Sequence, residues 1–263
     1  MTRLAYDTDL TDAQWEILKP YIPDAKPGGR PRSIDMREVL NGIFYLVANG
    51  IKWRAMPHDF PKWQSTYTYF RAWEDDGTWE KLNTALRTQI RLQSGRNALP
   101  SAGSVDSQSV KTASGGQDIG FDGGKKVKGR KRTILVDTMG LVLGVCVHSA
   151  KRSDHDGMTL LATFYAAFWS CLQVIWVDST FAGKDFIAWV GQQFGWTLEH
   201  LKRTSDEPGF TVIPKRWVVE RTYAWFGHYR RLSKDYEFLP TTSEIMIFAA
   251  MVHLMVRRLE PQT

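Results

Sequence analysis

Apolar residues recur at helical spacing over the first third of the chain and at strand-like spacing beyond it. In DMREVLNGIFYLVANG, Val39, Leu40, Ile43, Phe44, Leu46 and Val47 share one helical face, with Ser33 and Asp35 as capping candidates and Gly50 closing the helix. Upstream, TDAQWEILKPYI sets Thr11 three residues before Gln14, a capping-box pattern, and Pro20 ends it. A loop, IKWRAMPHDFPKW, leads to a predicted helix over QSTYTYFRAWEDDG, and a last one runs from Thr78 through WEKLNTALRTQIRLQ. A helix, a turn and a second helix bearing Thr66, Tyr67, Tyr69, Arg71 and Trp73 is an arrangement that can enter a major groove, although any helical bundle supplies such pairs.

The polar stretch SGRNALPSAG, residues 94–103, marks a linker, so residues 1–93 read as a helical domain and 104–263 as a second domain. There GSVDSQSVK, RTILVDTMG and LVLGVCVHS predict three strands, with Met139-Gly140 turning the chain between the last two. HDGMTLLATFYAAFW predicts a helix, QVIWVDS a buried strand, KDFIAWVGQQFG a helix and WTLEHLKR a strand. KRWVVERTYAWFGHYRRLSKDYE predicts a closing helix. The order β-β-β-α-β-α-β-α makes the fold α/β, a five-stranded sheet with flanking helices. The apolar run EIMIFAAMVHLMVRRLE is expected to pack as the last core helix; the other reading is an assembly surface.

Composition narrows the partners. At 263 residues and 43% hydrophobic content the chain can fill a core. Its 34 Lys plus Arg against 28 Asp plus Glu give a net charge of +6, which favours an anionic partner, nucleic acid or a membrane surface. No stretch reaches eighteen apolar residues without a charge, and the N-terminus has no apolar signal region, so a soluble cytoplasmic protein with no membrane partner is expected. Cys146 and Cys171 lack metal-site or disulfide-framework spacing and read as buried thiols. One segment is biased: Lys125 to Arg132 holds six basic residues in eight, including Lys125, Lys126, Lys128 and Arg130, after a glycine-rich stretch. It is either a solvated loop or a mobile arm that orders on a polyanion.

Three carboxylates stand out. Asp178 concludes the apolar run VIWV, at the strand edge where α/β sheets place their chemistry. Asp106 lies mid-strand, where an acid on a sheltered face needs a cation. Glu220 shares a helix stripe with Arg216, Tyr223, Gly227 and Arg231. Carboxylates from two neighbouring strands and a helix can hold two divalent ions for phosphodiester displacement, with arginines on the phosphates. From spacing alone the alternative stays open that some of these acids are structural; Asp137 and Asp156 read as turn and cap residues.

The segments VDSQSVKT, VDSTFAG and RWVVERTYAWFGHYRRLSKDYE resemble, in order, the three acidic blocks of insertion-sequence transposases of the IS5 family, within the IS4/IS5 group of DDE transposases. LTDAQWEILKPYIP and GRPRSIDMREVLNGIFYLVANGIKWRAMPHDFPKWQSTYTYFRAW are similar to that family's helical region. The resemblance spans about residues 8–240. It implies a ribonuclease-H-like catalytic fold, Asp106, Asp178 and Glu220 as the metal-binding triad, and two Mg2+ ions, with Mn2+ as a substitute. Arg216 matches the arginine of the family's Tyr-Arg-Glu-Lys signature. Ile213 and Gly227 stand where the tyrosine and lysine are expected, so His228, Arg230 or Arg231 would have to supply the phosphate contact.

On this resemblance the expected activity is transposition: cleavage at element ends and strand transfer to a target. A nuclease without strand transfer and a non-catalytic DNA-binding regulator are the alternatives. The expected partners are DNA, both terminal inverted repeats and target, and a second copy of the chain, since two ends are joined; association with the nucleoid follows. Lys125, Lys126, Lys128, Arg130, Lys202, Arg203, Arg230 and Arg231 would meet the DNA backbone. Arg54, Lys62, Tyr67 and Arg71 are the candidate contacts of the helical domain.

Overall fold

The structure, a computed structural model, describes residues 3–25, 28, 31–113, 115–181, 183–200, 215 and 217–260. In chain order its elements are α1 (Asp12–Leu18), α2 (Met36–Asn49), α3 (Trp63–Asp75), α4 (Thr78–Gln93), β1 (Ala102–Lys111), β2 (Gly120–Asp122), β3 (Val127–Asp137) and β4 (Val142–Ser149). There follow α5 (Asp154–Tyr165), β5 (Val174–Val177), α6 (Lys184–Phe194), β6 (Thr197–His200), α7 (Trp217–Gly227) and α8 (Pro240–Leu259), with short 3-10 turns between some of them.

The chain forms two units. One gathers residues 1–94, 228–232 and 245–263; the other gathers 95–227 and 233–244. The contiguous spans expected from the sequence are therefore corrected: most of α8 belongs to the helical unit. The division falls just after α4, and β1 already begins inside the expected linker.

In the helical unit the local signals act as read. Thr11 and Gln14 form a reciprocal capping box on α1, Asp35 accepts the Arg37 amide at the start of α2, and Gly50 ends α2 with φ 70°. The six apolar residues assigned to one face of α2 are all fully buried. Helix α8 buries residues almost all round, including Met246, Phe248, Met251, Val252 and Val256, as a core helix does. His253 on α8 stacks on Phe44 with centroids 4.7 Å apart, and its Nδ1 lies 3.2 Å from the Tyr229 hydroxyl.

Burial, reinforced by the Arg257 charge, lowers the His253 imidazole from its ordinary 6.5 to about 4. The native unit thus refuses a proton that the unfolded chain accepts, so the associated stability is complete above pH 6.5 and is lost as the pH falls towards 4. At 1.36 kcal/mol per pKa unit the window is worth about 3 kcal/mol. Hydrogen exchange of α2 and α8 amides should accelerate between pH 6.5 and 4, after correction for intrinsic rates, and His253→Phe should remove most of that pH dependence.

The second unit is built on a six-stranded mixed sheet of order β2-β3-β1-β5-β6, with β4 also paired to β3. The five expected strands are all present; the addition is the short β2, which pairs with the start of β3. β1 is antiparallel to β3 and parallel to β5, and β5 is parallel to β6. One face packs Val105, Leu135, Ile175 and Val177 against Met158 and Leu161 of α5 and Val190 of α6. The β3–β4 turn forms as read: Asp137 Oδ1 accepts the Met139 and Leu141 amides, and Gly140 has φ 77°. Asp156 completes a capping box with Ser153 on α5.

The basic segment is corrected. Residues from Val127 onward are strand β3, and Arg130, Lys131 and Arg132 are buried. Charge density suggested a solvated segment, but acids wait on both sides of this strand. Arg130 pairs with Asp235 at 3.1 Å, both side chains fully buried, and also donates to the Glu237 and Phe238 carbonyls. Lys131 pairs with Asp154 at 2.8 Å.

Candidate active site

The parallel pairing of β1 and β5 aligns the stretches that lead to Asp106 and Asp178. Ser104 pairs with Trp176 in register; Asp106 lies two residues further along β1, and Asp178 is the first residue past the end of β5. The pleat sends alternate residues to opposite faces, so Asp106 shares the face carried by Ser104 and Trp176, opposite the core residues Val105 and Val177. Asp106 is half-buried; its Oδ1 accepts the Ser107 amide at 2.7 Å. Asp178 Oδ1 accepts the Thr180 amide at 2.8 Å and the Thr180 hydroxyl.

Helix α7 lies on this face. Its Tyr223 hydroxyl is 2.9 Å from the Asp106 carbonyl oxygen and 2.8 Å from that of Arg132, and it can donate its proton to either. Burial, followed by the nearby Asp106 carboxylate, pushes the Tyr223 phenol well above its ordinary value, so it remains a neutral donor. On the approach to the helix, Lys215 Nζ sits 4.9 Å from the centre of the Trp176 ring, two residues before Asp178. Lys215 and Tyr223 therefore touch β5 and β1 on either side of Glu220, which is itself exposed. On the other flank of α7, the Thr222 hydroxyl donates to the Gly140 carbonyl at 2.7 Å, and a Cβ at Gly140 would lie 2.9 Å from the Thr222 Oγ1.

Sequence reasoning put Tyr223 on the stripe with Glu220; it did not reveal the hydroxyl's reach to two strand carbonyls, because no local pattern encodes which strands a helix crosses.

The carboxylates of Asp106 on β1, Asp178 just past β5 and Glu220 on α7 have the all-oxygen chemistry that suits a hard divalent cation. Among the described residues, however, no group of three His, Cys, Asp or Glu side chains lies close enough together to hold a metal ion. Among the described residues the structure thus does not gather Asp106, Asp178 and Glu220 into a ligand set.

The basic residues divide by burial. Lys125, Lys126 and Lys128 are exposed around the β2–β3 turn, Lys125 also donating to the Ser107 carbonyl at 2.9 Å. Arg130 and Arg231 are corrected as phosphate contacts: Arg130 is consumed by its buried pair, and the buried Arg231 donates to the Ile51 carbonyl at 2.9 Å. Arg230 and His228 are exposed and belong to the helical unit, while Gly227 has open space where a side chain would begin. Arg216, Lys202 and Arg203 lie outside the described residues.

In the helical unit Arg54 and Lys62 are exposed, Arg54 beside the Trp63 ring at 5.5 Å; Tyr67 is partly exposed, and Arg71 pairs with Glu74 at 2.7 Å. Thr66 and Trp73 of α3 are buried in the core and so are not on the exposed side of the helix, which carries Gln64, Tyr67 and Thr68. Residues 50–62 connect α2 to α3, too long for a tight turn.

A family model described as "Transposase DDE domain" matches residues 97–255, and one describing a transposase of the IS4/5 family matches residues 10–83. The chain is 26% identical over 119 residues, 42% of its length, to "Insertion element IS402 uncharacterized 16.2 kDa protein" of Burkholderia cepacia, spanning 78% of that protein. It is also 21% identical over 84 residues, 32% of its length, to "Uncharacterized protein y4sN" of Sinorhizobium fredii (strain NBRC 101917 / NGR234), spanning 67% of it. The strand order and these matches agree that the chain belongs to the DDE transposases of the IS4/IS5 group, with their ribonuclease-H-like catalytic fold.

Proposed function

We propose that the protein binds insertion-sequence ends, cuts them in an Mg2+-dependent reaction and joins the freed 3′-hydroxyl to a target phosphodiester. What supports this reading is the parallel pairing of β1 and β5, with Asp106 on β1, Asp178 one residue past β5, and α7 bonded to β1 through Tyr223. Asp106, Asp178 and Glu220 are the residues that would hold the metal. Once bound, two divalent ions supply nucleophile activation and charge stabilisation of the leaving oxygen. The chain's own part is to orient: Ser107 and Thr180 amides fix the two aspartates, and Tyr223 fixes α7 against β1. Lys125, Lys126 and Lys128 are proposed to neutralise backbone phosphates without reading sequence, while Arg54, Lys62, Tyr67 and Arg71 contact the terminal repeats. Arg216, Lys202, Arg203 and Arg230 are proposed as further phosphate contacts, and two copies act together on DNA. No described helix is long and apolar enough to cross a membrane; cytoplasmic action on nucleoid DNA is part of the proposal.

Incubating the protein with Mg2+, a labelled element end and a circular target tests this. Joined products are expected. Cut ends without joining would favour a nuclease, and binding unaffected by metal with no nicking would favour a regulator.

A further inference from the structure

We propose that Ser107 and Asp154 form a positioning relay for the Asp106 carboxylate, anchored by Lys131 on the opposite face of the sheet. The inference rests on the reading of Asp106 as a metal-binding carboxylate.

Asp106 and Ser107 are neighbours on β1, so their side chains leave opposite faces of the sheet. Ser107 connects the two faces. Its amide donates to Asp106 Oδ1 at 2.7 Å, and its hydroxyl donates to Asp154 Oδ1, on the first turn of α5, at 2.6 Å. The same Asp154 oxygen accepts from Lys131 Nζ at 2.8 Å, and Lys131 also donates to the Arg152 carbonyl at 2.9 Å. Ser107 is held a third time, at its carbonyl, by Lys125 Nζ at 2.9 Å.

Side-chain exposures of 7% for Lys131 and 17% for Asp154 shelter this ion pair from solvent. A paired, sheltered carboxylate has one preferred geometry, and it passes that geometry to the Ser107 hydroxyl. The Ser107 peptide plane is thereby set, with its N–H aimed at Asp106. Partners that orient a ligating group typically cost 10–100-fold in metal affinity when removed. A purely structural tether between α5 and β1 would instead affect stability alone.

The test uses the full chain and Mn2+ alone as probe, with the free-ion electron paramagnetic resonance signal reporting binding. A parallel Mg2+ titration of end cleavage separates the metal requirement from the maximal rate. Ser107→Ala is expected to raise the half-saturating Mn2+ concentration about 10–100-fold, and Ser107→Thr, which keeps the hydroxyl, to restore most of it. Lys131→Met interrupts the relay one step further out; it should shift binding in the same direction by less, and it serves where Ser107→Ala fails to fold. Unchanged Mn2+ saturation in folded Ser107→Ala or Lys131→Met, or a rise that Ser107→Thr does not recover, overturns the relay. Asp106→Asn separates the two levels. If it abolishes Mn2+ binding while the relay variants bind normally, only the relay fails; if it binds like the parent, the reading of Asp106 fails and the relay goes with it.

Discussion

Asp106→Asn, Asp178→Asn and Glu220→Gln are each expected to abolish cleavage of element ends while leaving binding to end DNA intact. The expected loss is about three orders of magnitude or more, because metal-borne charge stabilisation is worth several kcal/mol and each 1.36 kcal/mol is tenfold in rate. The substitutions are conservative for the fold. Asn retains an oxygen that can accept from the Ser107 amide at position 106 and from Thr180 at position 178. Glu220 is exposed, and Gln there keeps the size and shape of the side chain. Gel-shift affinity and cleavage of the same labelled end, measured side by side, check the outcome. Divalent-dependent cleavage surviving in any one variant would remove that residue from the site.

Arg130→Ala is expected to produce the largest loss of stability in the catalytic unit. Its partner Asp235 is fully buried, and removing one member of such a pair leaves an uncompensated charge, a cost of about 3–5 kcal/mol. The Glu237 and Phe238 carbonyls lose a donor as well. In a domain of this size the melting temperature should fall by about 10 °C or more. Asp235→Ala should behave alike. The double replacement Arg130→Met with Asp235→Leu should recover part of the loss by removing both charges. Lys126→Ala, at an exposed position, should leave the melting temperature near that of the parent and reduce the salt dependence of DNA binding. A melting temperature unchanged by Arg130→Ala would return Arg130 to the surface contacts.

These two sets of residues show why the sequence was legible in some places and not in others. Asp106, Asp178 and Glu220 each stand at a position that a local pattern defines: a strand, the end of an apolar run and a helix with a basic, aromatic face. The capping boxes of α1 and α5, the Asp137 turn and the buried face of α2 were legible for the same reason, since their partners lie within a few residues. Arg130 was not legible. Its run of basic neighbours reads as solvated until Asp235, more than a hundred residues away, is brought to it. Arg231 was misread likewise: the Ile51 carbonyl that holds it lies 180 residues earlier in the chain.

The short strand β2 was missed because a three-residue edge strand among glycines carries no apolar period. Helix α8 was assigned its buried character correctly, yet amphipathic pattern says only that a helix is covered and not by which core; the contacts grouped most of it with the helical unit. The sequence by itself determined most of the elements with their caps and turns, because hydrophobic period and backbone hydrogen bonding act over a few residues. Only the tertiary structure decided which charges are internal, which strands lie side by side and what Ser107 and Tyr223 hold in place, because ion pairing and strand register depend on residues that meet in space far from where they stand in the chain.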